Sequence, residues 1–380
     1  MAGTITWEQL RDLARFRAEK GCAVSVYLRL DPSEVPTPRD VDARVNSLMD
    51  GAARAQEERR SSMTHEQRGA LKADIERIKR WFEDGFDRDG AQGVAVFAAG
   101  LDNFWSTLTL PEPVDDQVKI NSELYLAPLT AFVGRGDGVF VGVVGRERGE
   151  VYRLESGQLR EIADETEDVP GRHDQGGWSQ ARYERHIDTI VARHWQRVAD
   201  TLDQCVREDV DCRVVLVGAE EIRSDFEEGL THEVTSRLIG WTHAEAHAGP
   251  PEILAAVRPV VERWWAGREG EVLDRWREHA AKNSRASAGW EQTLEAASDG
   301  RVELLLVQAG ADHPAYQCPH CGRAQVADGS CPLDGTTMES RENGVDLAVH
   351  QTLAHGGSVY VVRDRQDLDP VGGVGALLRF

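Results

Sequence analysis

Residues 171–198, GRHDQGGWSQARYERHIDTIVARHWQRV, reverse the charge of the chain around them. Arg172, Arg182, Arg185, Arg193 and Arg197 outnumber Asp174, Glu184 and Asp188 there, in a protein whose formal net charge is −21. A local basic run in an acidic chain points to contact with an anion. Gly176 and Gly177 open backbone conformations closed to other residues and allow close approach to another molecule. Ser179 carries a side chain able to cap the helix that the following pattern predicts. A helix N-terminus flanked by arginines suits phosphate groups. A glycine pair by itself is most often an ordinary turn before a solvated helix, so the reading rests on the segment as a whole.

A second cluster has metal chemistry. Cys318, Cys321 and Cys331 fall within CPHCGRAQVADGSCPLDG, whereas Cys22, Cys205 and Cys212 are scattered. That distribution fits one metal site better than a disulfide framework. A CxxC turn directs two thiolates at one ion, and Asp334 stands three residues after Cys331, where a fourth cysteine is usual. Carboxylate oxygen ligates zinc. The expected set is therefore Cys318, Cys321, Cys331 and Asp334 around a structural zinc, with His320 as the alternative fourth ligand and a metal-free remnant of the turn pair as the plainer reading. In THAEAH, His243, Glu245 and His247 alternate as on one strand face, but the spacing is not that of a helical zinc site, and a solvent-facing strand end is expected. Trp264, Trp265 and Trp276 have helical spacing that favours packing over base stacking.

The elements that position these residues alternate in period. Residues 7–20 show helical spacing, 22–30 the two-residue alternation of a strand, 40–60 and 65–87 two polar amphipathic helices, and 93–100, 104–110 and 121–128 further strands. From Leu129, glycine-containing turns divide three strands of a meander. A polar loop at 165–177, a helix over 179–205 and a buried strand at 212–219 follow. Residues 256–297 read as helical. The last part comprises strand 301–308, the cysteine cluster, helix 344–355, strand 358–364 and GGVGALLRF at 372–380. The fold class expected is α/β, in three domains at 1–128, 129–255 and 256–380.

Composition bounds the partners. Over 380 residues, 41% are hydrophobic and 29% charged, a globular balance, and no apolar run reaches the length of a membrane span. The first residues lack the basic and long apolar regions of an export signal, so a cytoplasmic location away from membranes is expected. Any RNA contact must be local, because the net charge opposes binding over the whole surface.

GGWSQARYER, with Gly176, Gly177, Ser179, Arg182, Tyr183 and Arg185, resembles the GGQ loop and following helix of the archaeo-eukaryotic class I peptide chain release factors. Trp178 takes the place of the motif glutamine and Gln180 follows two residues on, as in the bacterial Vms-like branch. GGVGALLRF resembles the final strand of the same superfamily, and the cysteine cluster resembles the zinc-ribbon insertion in its third domain. The resemblance spans residues 129–380. It implies a three-domain release-factor-like architecture whose C-terminal α/β sandwich carries that insertion, and hydrolysis of the peptidyl-tRNA ester at the peptidyl transferase centre of the large ribosomal subunit. Gly176, Gly177 and Gln180 would then be catalytic: backbone N–H groups and an amide position water and stabilise the oxyanion, with no ionisable base required. Arg172, Trp178, Ser179, Arg182, Arg185 and Arg193 would meet RNA, joined by His173, His186 and His194. The third domain of such proteins docks a translational GTPase, which makes elongation factor Tu or a relative the implied partner.

Neither NIKS nor YxCxxxF, the stop-codon motifs of the superfamily, occurs in residues 1–128. The expectation is a codon-independent factor that rescues stalled ribosomes or subunits. The alternative is a non-catalytic Pelota-like or Balon-like rescue or hibernation factor, which Trp178 favours as Gln180 favours the enzyme. A tRNA-acting nuclease is a third, weaker option, lacking a clustered acidic metal site.

Overall fold

A computed structural model of the chain describes residues 5, 7–58, 63–84, 86–88, 90–110, 112–133, 138–155, 157–166, 180–209, 212–245 and 247–380, with the backbone alone at 55–58, 155 and 180–188. The fold is mixed α/β, in two compact units: Met1–Val133 with Arg268–Phe380, and Gly134–Gly267.

The first unit begins with α1 (Trp7–Arg15), β1 (Ala23–Arg29), α2 (Pro38–Glu58), α3 (His65–Asp84), β2 (Gly93–Ala99), β3 (Phe104–Leu110) and β4 (Gln117–Asn121). The strands form an antiparallel sheet in the order β3-β2-β1-β4. Two capping boxes start the helices. The Thr37 N–H donates to Asp40 Oδ2 at 3.0 Å and the Asp40 N–H to Thr37 Oγ1 at 3.4 Å, and Thr64 and Gln67 exchange the equivalent pair at 3.0 and 3.2 Å. β1 is buried on both faces. Val24, Val26 and Leu28 pack with Val45, Met49, Ile75 and Ile78 of α2 and α3, while Tyr27 and Phe97 share a core with Leu294, Val349 and Leu353 near the other end of the chain.

The strand expected over 121–128 is a correction. β4 ends at Asn121 and a 3₁₀ turn occupies Ala127–Ala131. The backbone donors that a strand would need are taken by side chains: the Tyr125 N–H donates to Ser25 Oγ, and those of Leu126 and Ala127 to Asp346 Oδ1.

The second unit holds β5 (Val139–Val144), β6 (Gly149–Glu155), β7 (Gln158–Asp164), α4 (Gln180–Glu208), β8 (Arg213–Val217), α5 (Arg223–Glu227), α6 (His232–Thr235), β9 (Leu238–Thr242) and the first part of α7 (Pro250–Ala281). The sheet order is β7-β6-β5-β8-β9, with β5, β6 and β7 an antiparallel meander and β5, β8 and β9 parallel. α4 covers one face, Val198, Leu202 and Val206 meeting Phe140, Val214 and Leu216. Ile253, Val257 and Val260 of α7 cover the other, against Val141, Val215 and Val217. Two helical layers on a largely apolar central strand are what the VVLV run of β8 demands.

The first unit resumes with the end of α7, then β10 (Ala286–Ala288), α8 (Trp290–Ser298), β11 (Val302–Gln308), β12 (Ala315–Gln317), β13 (Ala324–Gln325), β14 (Glu339–Arg341), α9 (Gly344–Ala354), β15 (Ser358–Val362) and β16 (Val374–Leu378). One sheet runs β10-β16-β11-β15 and a smaller one β13-β12-β14. Trp276 and Trp290 are buried, their indole N–H groups donating to the carbonyls of Ser287 and Gly372 at 2.9 Å each. Trp276 serves packing, as its spacing with Trp264 and Trp265 implies, and Trp290 does the same from the next helix. Glu269, fully buried, accepts the N–H groups of Arg363, Asp364 and Arg365.

Candidate functional site

The small sheet β13-β12-β14 carries two turns of the same construction, CPHCG at 318–322 and CPLDG at 331–335. In each, the glycine N–H returns to the carbonyl of the first cysteine, Gly322 to Cys318 at 3.0 Å and Gly335 to Cys331 at 2.9 Å. Both glycines have positive φ, 79° and 72°, a backbone state that favours glycine. The Thr336 N–H donates to Asp334 Oδ1 at 2.9 Å, and Asp334 stands at the place in its turn that Cys321 holds in the first. Asp334 therefore occupies the fourth-cysteine position of a paired-knuckle site.

The donors converge. One ligand atom each of Cys318, Cys321, Cys331 and Asp334 lies within 4.8 Å of the others. The Sγ atoms of Cys321 and Cys331 are 3.5 Å apart, and Cys318 Sγ is 3.5 Å from Asp334 Oδ2. Tetrahedral coordination with Zn–S bonds of about 2.3 Å puts thiolates about 3.8 Å apart, so the spacing suits an ion of that size. Burial pushes the Cys318 thiol up, but the N–H groups of Cys321 and His320 and the neighbouring thiols outweigh it and hold Cys318 below its usual range. The Cys321 thiol, despite the Arg323 N–H, is pushed up to about 11 by burial and by Cys331 and Cys318. The Thr336 N–H and then His320 hold the Asp334 carboxyl well below the usual range. His320 Nδ1 lies 2.9 Å from Asp334 Oδ2 with its side chain 78% exposed, which makes it the partner of Asp334 outside the cluster. The signal for this arrangement was in the sequence, in the repeat of CPxxG.

Residues 167–179, which include the start of the basic segment, lie outside the described residues, and with them Arg172, Gly176, Gly177, Trp178, Ser179 and His173. Gln180 is the first residue of α4, in the turn whose backbone N–H groups lack helical partners. Arg182 and Arg185 lie on the first turns of that helix, where the backbone alone is described, as does His186. Arg193 is exposed, whereas Arg197 is tied to Glu165 by an ion pair of 3.3 Å.

His194 corrects the expectation that it meets RNA. It is fully buried, with Nε2 3.0 Å from the Arg148 carbonyl, and a Cβ at Gly149 would collide with its ring. Beside it the Trp195 N–H donates to the Gly145 carbonyl at 2.9 Å. These two residues lock α4 onto the β5–β6 turn. β9 ends at Thr242, so His243, Glu245 and His247 follow the strand and are exposed. Among the described residues no helix is long and apolar enough to cross a membrane.

Residues 125–262, which include the loop and α4, match the family described as bacterial archaeo-eukaryotic release factor family 10. Peptide chain release factor subunit 1 of Archaeoglobus fulgidus is similar to this chain at 24% identity, over 71% of this chain and 72% of that protein. Its counterpart in Pyrococcus abyssi is 22% identical over 98% of this chain and 97% of its own. Among solved structures, Pelota of Archaeoglobus fulgidus aligns with 73% of this chain and 76% of its own at 17% identity and a TM-score of 0.32.

Proposed function

We propose, because the chain belongs to the archaeo-eukaryotic class I release factor superfamily, that it acts on the ribosome as a codon-independent factor hydrolysing the peptidyl-tRNA ester of stalled ribosomes or subunits. The observation that carries this reading is the sequence GGWSQ opening directly into α4 at Gln180. An amide at this point of the sequence, together with the backbone N–H groups that a helix start leaves without helical partners, is a donor set of the kind that positions water and meets developing negative charge at an ester carbonyl. Gly176 and Gly177 let the loop approach the ester closely. Arg172, Arg182, Arg185 and Arg193 supply the phosphate contacts that the acidic remainder of the chain cannot, with Trp178 and Ser179 at the RNA beside them. The factor works in the cytoplasm as three domains, 1–128, 129–255 and 256–380, with a translational GTPase such as elongation factor Tu delivering it.

Cys318, Cys321, Cys331 and Asp334 hold one zinc ion in a zinc-ribbon-like insertion. Its role is structural: it ties the two knuckles together, and the donor set supplies no general base.

A second reading is favoured by Trp178, which stands where the superfamily motif has glutamine: a Pelota-like or Balon-like factor that binds the ribosome without hydrolysis. Release of labelled peptide from purified 70S ribosomes and from 50S subunits bearing peptidyl-tRNA decides between them. Turnover on either complex supports the hydrolase; tight binding without release on both supports the second reading.

A further inference from the structure

Within the first unit a cavity of about 400 Å³ lies between β4 and the stretch from β14 into α9, a volume in the range of small-molecule sites. Lys119, Ser122, Tyr125, Arg341, Asn343 and Asp346 are among its lining residues. Asp346 is an acidic lining residue that the fold has buried, 8% exposed. Its Oδ1 accepts from the N–H groups of Leu126 and Ala127 at 2.8 and 3.0 Å. Its Oδ2 has no hydrogen bond from any described group: His350 Nε2 is 3.8 Å away, and its proton goes to the Leu124 carbonyl at 2.5 Å. Asp346 lines the cavity, and that is the side from which a donor can reach this oxygen.

The cavity wall holds the complementary charge. Lys119 has no acidic partner among the described residues, and its ammonium stands 5.6 Å from the centre of the Tyr125 ring. Arg341, by contrast, is committed to Gln317 Oε1 and Glu339 Oε2, at 3.1 Å each. An acid and a base thus line the same space without pairing with each other.

We propose that this cavity binds a small zwitterion, a free α-amino acid or a close analogue, whose ammonium donates to Asp346 Oδ2 and whose carboxylate accepts from Lys119. The pair of charges selects against the simpler ions. A polyamine would place positive charge against Lys119, and a phosphate would face Asp346 together with Glu123 and Glu342, which also line the space. The inference stands apart from the peptide-release reading, since every residue in it belongs to the unit that excludes the Gly176–Gln180 loop.

The test is isothermal calorimetry of the full chain against single proteinogenic L-amino acids, their N-acetyl and C-amide derivatives, spermidine and inorganic phosphate. The expected result is that at least one amino acid binds with Kd below about 1 mM and that both of its derivatives bind at least ~10-fold more weakly. In Lys119→Met, a change at a partly exposed edge-strand position, the acid and its C-amide should bind alike. Asp346→Asn, which keeps an acceptor for Leu126 and Ala127, should abolish binding while the melting curve stays cooperative. Absence of binding by every amino acid, equal binding of the blocked derivatives to wild type, or unchanged affinity in Lys119→Met would each overturn the proposal.

Discussion

His194 donates its Nε2 proton to the carbonyl oxygen of Arg148 across 3.0 Å, because a carbonyl can only accept. A residue that shares a sequence segment with the arginines is therefore a buried strut between α4 and the β5–β6 turn. His194→Ala removes the ring and leaves that carbonyl unpaired, and should cost about 2–4 kcal/mol as read from urea unfolding midpoints. At temperatures where the variant stays folded, ribosome affinity should match wild type. A selective loss of affinity without loss of stability would return His194 to the RNA interface.

Period and punctuation made most of the fold legible. The VVLV run of β8 and the repeated CPxxG turns state locally what the structure builds, and the alternation of β1 marks a strand, though not its burial on both faces. The failures have a common cause in partners remote in sequence. Residues 121–128 look like a strand until Ser25 and Asp346 claim their backbone donors, and His194 looks like part of a basic face until Gly149 makes room for its ring. The Asp346 and Lys119 pair carries no local signature at all, because it is assembled from strand and helix more than two hundred residues apart.

The knuckle cluster is expected to yield about one zinc per chain by elemental analysis of protein purified without chelator. Cys318→Ser should release the metal and lower stability, since structural zinc contributes folding free energy. Asp334→Cys should retain the metal and slow its loss to a chelator, because thiolate is the softer donor. His320→Ala should leave the stoichiometry unchanged, which separates the Asp334 ligand set from one using His320. Wild-type protein free of metal would remove zinc from the account.

Asp74 gives a pH dependence of definite sign. Burial raises its pKa against the opposing pull of the Gly100 N–H and Arg77, and that N–H is 2.9 Å from Asp74 Oδ2. The folded state then binds the proton more tightly than the unfolded state, so the contribution of Asp74 to stability falls as pH rises from the unfolded carboxyl value of about 3.9 through the raised folded one. Asp74→Asn removes this dependence. The stability difference, wild type minus variant, should shrink between pH 4 and pH 7; a difference that grows with pH would show that Asp74 is held as a stabilised anion.

Arg182 and Arg185 test whether the start of α4 meets phosphate. Replacing both with alanine should weaken ribosome binding and reduce the slope of log affinity against log salt by about 1 to 2, the counterion release of one or two phosphate contacts. Binding is best followed by co-sedimentation with ribosomes across a salt series. An unchanged slope would place the contact elsewhere on the chain.

Gln180 separates an enzyme from a plug. If its amide positions water at the ester, Gln180→Ala should leave ribosome binding nearly intact while peptide release falls by roughly 10²-fold, the scale of losing one oxyanion or positioning donor. Gly177→Ala should act in the same direction, since a β-carbon obstructs close approach and disfavours a positive φ. Trp178→Ala is the control on the departure from the family motif: an aromatic that only stacks should lose more in binding than in turnover. Single-turnover release assays on 70S and 50S complexes, paired with binding measured on the same preparations, resolve the two effects. A Gln180→Ala variant that releases peptide at the wild-type rate would exclude the amide from the chemistry. Wild-type protein that binds tightly and releases nothing would instead move the whole loop, Gly176 to Gln180, from catalysis to occupancy of the peptidyl transferase centre.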